Sequence, residues 1–111
     1  GDVLADLAGM VMWWGGDPEA RGRIADVPTR VDGFGTADHV VARYAASSDR
    51  DISALPWYIA FQHWRLACIS EGVRVRYSLG AMGDQETRDD DFSRDNVDGL
   101  LEGAQRWISQ R

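Results

Sequence analysis

The chain has no lysine: all twelve of its basic side chains are arginine. It therefore has no lysine–glutamate pair to grip a nucleotide phosphate, and no glycine-rich phosphate loop is present either. The arginine bias itself is what a GC-rich genome produces. A single cysteine, Cys68, excludes any intrachain disulfide, and nothing points to an oxidising compartment. No apolar run approaches the ~18–20 residues of a membrane span, and no signal-peptide pattern is present. Basic charge is also scarce, since eighteen acidic residues leave a net charge of −6. A nucleic-acid surface needs a basic stripe to neutralise phosphates, so nucleic acid is not expected as a partner. A membrane is not expected either, and the expected location is the cytoplasm. His39 and His63 form no H-x-x-x-H or H-E-x-x-H pattern, so no zinc site is expected. Asp89-Asp90-Asp91 lacks the alternating ligands and glycine of an EF-hand loop and reads as a solvated run.

What is present is helical spacing. Asp2 is placed to cap a first helix, in which Leu4, Leu7, Ala8, Val11, Met12 and Trp14 recur until Gly15-Gly16 stops it. Residues 15–35 read as a loop of about twenty residues, a length that usually marks a functional or partly mobile connection. Thr36 caps a second helix to about Ser47, burying Val40, Val41, Tyr44 and Ala45. A third and longest helix is expected from Ser53, as its cap, to Leu79, with Pro56 in the first turn and Gly80 as the stop. Its apolar side chains surround the axis, which predicts a central position. Gly72 reads as a point of close approach to another helix, and Cys68 as a small buried hydrophobe. Residues 81–95 form an acidic connection. A last helix, from Phe92 or Asp95 to Ser109, carries Val97, Leu100, Leu101, Ala104, Trp107 and Ile108. No strand pattern is convincing, so the expected fold is all-α, with about four helices in one 111-residue subdomain.

The opening Gly1-Asp2-Val3-Leu4-Ala5-Asp6-Leu7-Ala8 resembles a motif of the aminoglycoside phosphotransferase-like family of small-molecule kinases. In that family a Gly-Asp-Pro-x-x-Asp-Leu-Ala stretch follows the metal-binding aspartate and starts a helix supporting the catalytic loop; Val3 stands where the family usually has proline. Two further blocks extend the resemblance. Trp57-Tyr58-Ile59-Ala60-Phe61, Trp64-Arg65-Leu66-Ala67, Glu71-Gly72-Val73 and Arg76-Tyr77 look like the long helix of one branch, which includes domains fused to acyl-CoA dehydrogenase-like proteins. Tyr44-Ala45, Ser48 and Arg50-Asp51 fit its preceding helix and polar turn.

The resemblance implies the C-terminal helical part of an enzyme that moves the γ-phosphoryl group of ATP, with Mg²⁺, to a hydroxyl of a small molecule. The family's His-Gly-Asp-x-x-x-x-Asn loop and following aspartate are absent from this sequence. The chain alone is therefore expected to be inactive and to bind neither ATP nor Mg²⁺, and the natural protein is expected to continue upstream of Gly1. By the resemblance, Asp6 accepts hydrogen bonds from catalytic-loop amides, with Asp2 capping the same helix; a bland first-turn acid favoured by the helix dipole is the competing reading.

Other candidates come from the residues themselves. Trp13, Trp14, Trp57, Tyr58 and Trp64 are candidates to line a substrate pocket, although aromatics at helical spacing are more often core. Arg65, Arg74 and Arg76 are candidates for an anionic substrate, against pairing with Glu71, Asp84 or solvent. His63 reads by default as a hydrogen-bonded helix histidine. Two other functions stay open: a non-enzymatic helical module, including a homodimer formed through an exposed apolar face, and an all-α ligand-binding domain of a regulator.

Overall fold

The computed structural model describes residues 1–81, 83 and 93–110. Among these, four α-helices follow one another, α1 Val3–Trp13, α2 Ala37–Ser47, α3 Leu55–Ser78 and α4 Arg94–Ile108. No strand occurs among the described residues. The caps explain most of the boundaries. Asp2 accepts from the Leu4 amide, Thr36 from His39 and Ser93 from Asn96, each satisfying an amide that a first turn leaves open. Glycine ends α3: Gly80 sits at φ 71°, where the Ala81 amide reaches back to the Arg76 carbonyl and the Gly80 amide to Tyr77.

One expectation at the start of α3 needs correction. Ser53 is not its cap. The Ser53 amide bonds to the Asp51 carboxylate at 2.9 Å in a local turn, and the helix starts later from Ala54 with no side-chain cap. Pro56 in the first turn makes that tolerable, because its missing N–H is one the helix cannot use there. Residues 84–92, including Asp89-Asp90-Asp91, lie outside the described residues.

α3 is central, with α1 and α4 packed along it and α2 against α1. Leu7, Ala8 and Val11 of α1 meet Ala37, Leu55 and Ile59 in one core, with Val41, Tyr44 and Trp107 at its edge. A second core joins Met12, Ile24, Ala67, Val97 and Leu100. Ile24 comes from the expected loop, which is not a slack connection. It folds into two 3₁₀ turns, Gly22–Ala25 and Pro28–Arg30, and buries Asp17, Ile24 and Val27. Arg21 clasps Asp95 and Glu102 of α4, while Arg30 and Thr29 bond to the carbonyls of Asp17 and Trp13.

The molecule is elongated. Its radius of gyration is 15.4 Å, against about 13 Å for a compact domain of this length. Three burial expectations fail as a result. Ala45 and Cys68 are exposed. A Cβ on Gly72 would meet nothing within 4 Å, so among the described residues no helix approaches there. The close approach occurs on α4 instead, at Gly99 and Gly103.

Candidate functional site

The N-terminal edge of α1 carries both aspartates singled out by the opening motif. One oxygen of Asp2 caps the Leu4 amide at 3.0 Å, and the other accepts from the Tyr58 hydroxyl of α3. The Tyr58 bond, seconded by the Leu4 amide, holds the Asp2 carboxyl below its ordinary range. The same bond to a carboxylate pushes the Tyr58 phenol up. Asp2 is thus committed to fixing α1 on α3. Asp6 lies one turn further on and is exposed at the surface. The two carboxylates share a helix face because residues four apart are neighbours on a helix.

The aromatic candidates are spread over several places. Trp57 lines an open groove of about 350 Å³ between α3 and α4, with Ala60, Phe61, Trp64, Leu101, Ala104, Gln105 and Ile108. The Trp57 and Phe61 rings are nearly parallel with centroids 5.8 Å apart, and the Phe61 and Trp64 centroids are 5.9 Å apart. Tyr58 is edge-on to Trp57 at 5.1 Å and shares with it a second hollow, of about 450 Å³, beside Ser53, Pro56 and Gln110. Trp14 is elsewhere, half-buried against the first core and edge-on to Phe34 at 6.3 Å. Arg65 donates to Gln62 at 3.2 Å and borders a shallow hollow with Met12, Trp13, Leu66 and Ile69. Trp14, Trp57, Tyr58 and Arg65 therefore do not converge on one of these cavities. Arg74 is taken by Glu71 through two bonds of 2.8 and 2.7 Å, which hold the Glu71 carboxyl below its ordinary value.

A third cluster went unread in the sequence. Asp17 and His63 are both buried, and Arg106 donates to the Asp17 carboxylate at 2.6 Å. His63 is the hydrogen-bonded helix histidine expected, its Nδ1 lying 2.8 Å from the Ile59 carbonyl. Its other ring nitrogen stands 4.0 Å from the Asp17 carboxylate. Arg106 is 89 residues from Asp17 in the chain, and no local spacing announces such a pairing. One signal was legible. Asn96, Gly99, Leu100 and Gly103 form a helical stripe whose two glycines mark a close contact, and all four are buried.

Among the described residues no group of three His, Cys, Asp or Glu is placed to hold a metal ion, and no helix is long and apolar enough to cross a membrane. No family model matches the chain, and neither a curated protein nor a solved structure matches it.

Proposed function

We propose that this chain is the C-terminal, substrate-side helical part of a cytoplasmic phosphotransferase of the aminoglycoside phosphotransferase-like kind. Such an enzyme moves the γ-phosphoryl group of ATP to a hydroxyl of a small molecule. One observation beside the sequence resemblance supports the reading. At the α1 N-terminus Asp2 is used up by the Leu4 amide and Tyr58, while Asp6, on the same face, is left exposed toward whatever lies against that end. An exposed carboxylate there suits the role of accepting backbone amides from a catalytic loop. Asp6 is in this reading a positioning residue, and Asp2 with Tyr58 sets the angle at which it is presented. Trp57 and Tyr58 offer an apolar wall to the acceptor. The described residues do not fit ATP or Mg²⁺: the chain has no lysine, and among the described residues the acids form no cation cluster. No step through either is assigned to it.

One observation favours a second reading, a non-enzymatic interaction module: Trp57, Phe61, Trp64, Leu101 and Ile108 expose large apolar surfaces on one groove. The gene upstream of Gly1 decides between the two. A His-Gly-Asp-x-x-x-x-Asn loop followed by an acidic residue is expected there. The longer product should phosphorylate hydroxylated metabolites from labelled ATP. Asp6→Asn should cut kcat by about 100-fold, the cost of a misplaced catalytic group, with the KM for ATP unchanged. Upstream sequence with no such loop overturns the phosphotransferase reading, and an Asp6→Asn enzyme of full kcat overturns the positioning role of Asp6.

A further inference from the structure

His63 is fully enclosed at 0% exposure, where α3, α4 and the segment after α1 meet. A carbonyl can only accept, so the bond to the Ile59 carbonyl places a proton on Nδ1. In the neutral ring Nε2 then carries a bare lone pair, and this atom has no hydrogen-bond partner among the described residues. The nearest acid oxygen, on Asp17, is 4.0 Å away, beyond hydrogen-bond reach, and already accepts from Arg106 at 2.6 Å. The other Asp17 oxygen takes the Glu19 amide at 2.9 Å, and Glu19 lies 3.5 Å from Arg106. Gly103 presses α4 against the ring: a Cβ built there would lie 2.5 Å from His63 Cδ2. The α4 backbone therefore closes that side of the ring.

We infer that His63 is a proton-operated latch, which holds α4 against α3 and the Asp17 segment while neutral and releases α4 when protonated. A second ring proton would point at a site with no acceptor within reach. To pair with it, the Asp17 segment, already held by Arg106 and by its own Glu19 amide, must move in from 4.0 Å; otherwise α4 must withdraw from Gly103 and admit water. A buried charge with no hydrogen-bond partner in reach is the costlier state, so the closed form disfavours the proton. The charges facing the ring oppose one another, with Asp17 from the loop favouring the imidazolium and Arg106 from α4 disfavouring it. Burial outweighs both, along with the Ile59 bond, and pushes the His63 pKa down.

The sign follows from linkage. Above about pH 6.5 both the closed and the opened chain leave the ring neutral, and His63 adds no pH dependence. Below it the opened chain takes up a proton that the closed one refuses, so closure weakens as pH falls.

Hydrogen exchange of the α4 amides, corrected for the intrinsic pH effect, tests the latch. Between about pH 7.5 and about pH 5.5 the opening equilibrium should rise about tenfold, the ratio for one proton taken up only by the open form. In His63→Gln this rise should vanish. NMR titration of the His63 ring in the unaltered chain gives a second readout that needs no variant, and should place its pKa below that of a free histidine. A ring titrating at or above the ordinary value, or an equal rise in the variant, overturns the inference. If His63→Gln does not fold, the ring titration decides alone.

Discussion

Replacing each of two helix glycines by alanine should move stability in opposite directions. In a solvated helix interior the exchange is favourable, because glycine costs up to about 1 kcal/mol relative to alanine in backbone entropy and exposed backbone. Gly72 of α3 meets this condition, since an added Cβ finds nothing within 4 Å. Gly72→Ala should therefore stabilise the chain by about 0.5–1 kcal/mol. Gly103 of α4 does not meet it. There the Cβ would stand 2.5 Å from His63 Cδ2 and 3.0 Å from Nε2, about 1 Å inside a comfortable carbon contact. The ring cannot swing aside without losing its bond to Ile59, so α4 itself must shift. That shift also loosens Leu100, nearly fully buried one turn away, and stretches the Arg106 bond to Asp17. Overpacking of this kind costs about 1–3 kcal/mol. Set against the helical gain, Gly103→Ala should lose about 1–2 kcal/mol, or about 4–8 °C in Tm. Urea unfolding followed by far-ultraviolet circular dichroism reads both variants, with midpoints moving apart at unchanged slope. Adding His63→Ser to Gly103→Ala should recover part of the loss, because the ring that causes the clash is gone. Equal stabilisation by both alanines would refute the packing of α4 on His63.

Two further outcomes test other contacts. Asn96 is buried and accepts the Arg23 amide at 3.0 Å, joining the first 3₁₀ turn to α4; Asn96→Ala should cost about 1–3 kcal/mol in urea unfolding and speed exchange of that amide. At the start of α1, Asp2→Asn should return the Tyr58 phenol toward its ordinary pKa, read by ultraviolet titration of the tyrosinate. In the unaltered chain the Asp2 carboxyl sits below its ordinary value, so its contribution is present at neutral pH and fades only as pH falls through that lowered value.

The elements legible in the sequence are those fixed by local chemistry. Asp2, Thr36 and the glycine at the end of α3 act within one turn of themselves, and their positions in the chain were enough to place helix boundaries. α3 was legible as the central helix because its apolar residues run all round it. The same evenness concealed which face stays open. Trp57, Phe61 and Trp64 project into the groove beside α4, and Trp64 remains 51% exposed. Periodicity ranks faces by contrast, and a helix with aromatics on every side offers none. Ser53 misled for a related reason: it has the side chain of a cap, but Asp51 two residues earlier takes its amide first.

The cluster around His63 lies beyond any local reading, because each of its members has an ordinary local account. Asp17 in a Gly-Gly-Asp-Pro turn reads as a turn residue, Arg106 near a helix end as a favourable dipole charge, and His63 as a core histidine. Only their meeting, which brings His63 and Arg106 within 4.0 Å of the Asp17 carboxylate, makes one buried polar network of them. The division has a consequence for the proposed function. Asp2 and Asp6 can be read locally because α1 alone presents them, so their role depends on what lies against that end of the helix. His63 depends instead on contacts wholly inside this chain. If the phosphotransferase reading failed, the acid sensitivity of α4 would still be expected, since no atom outside the 111 residues enters it.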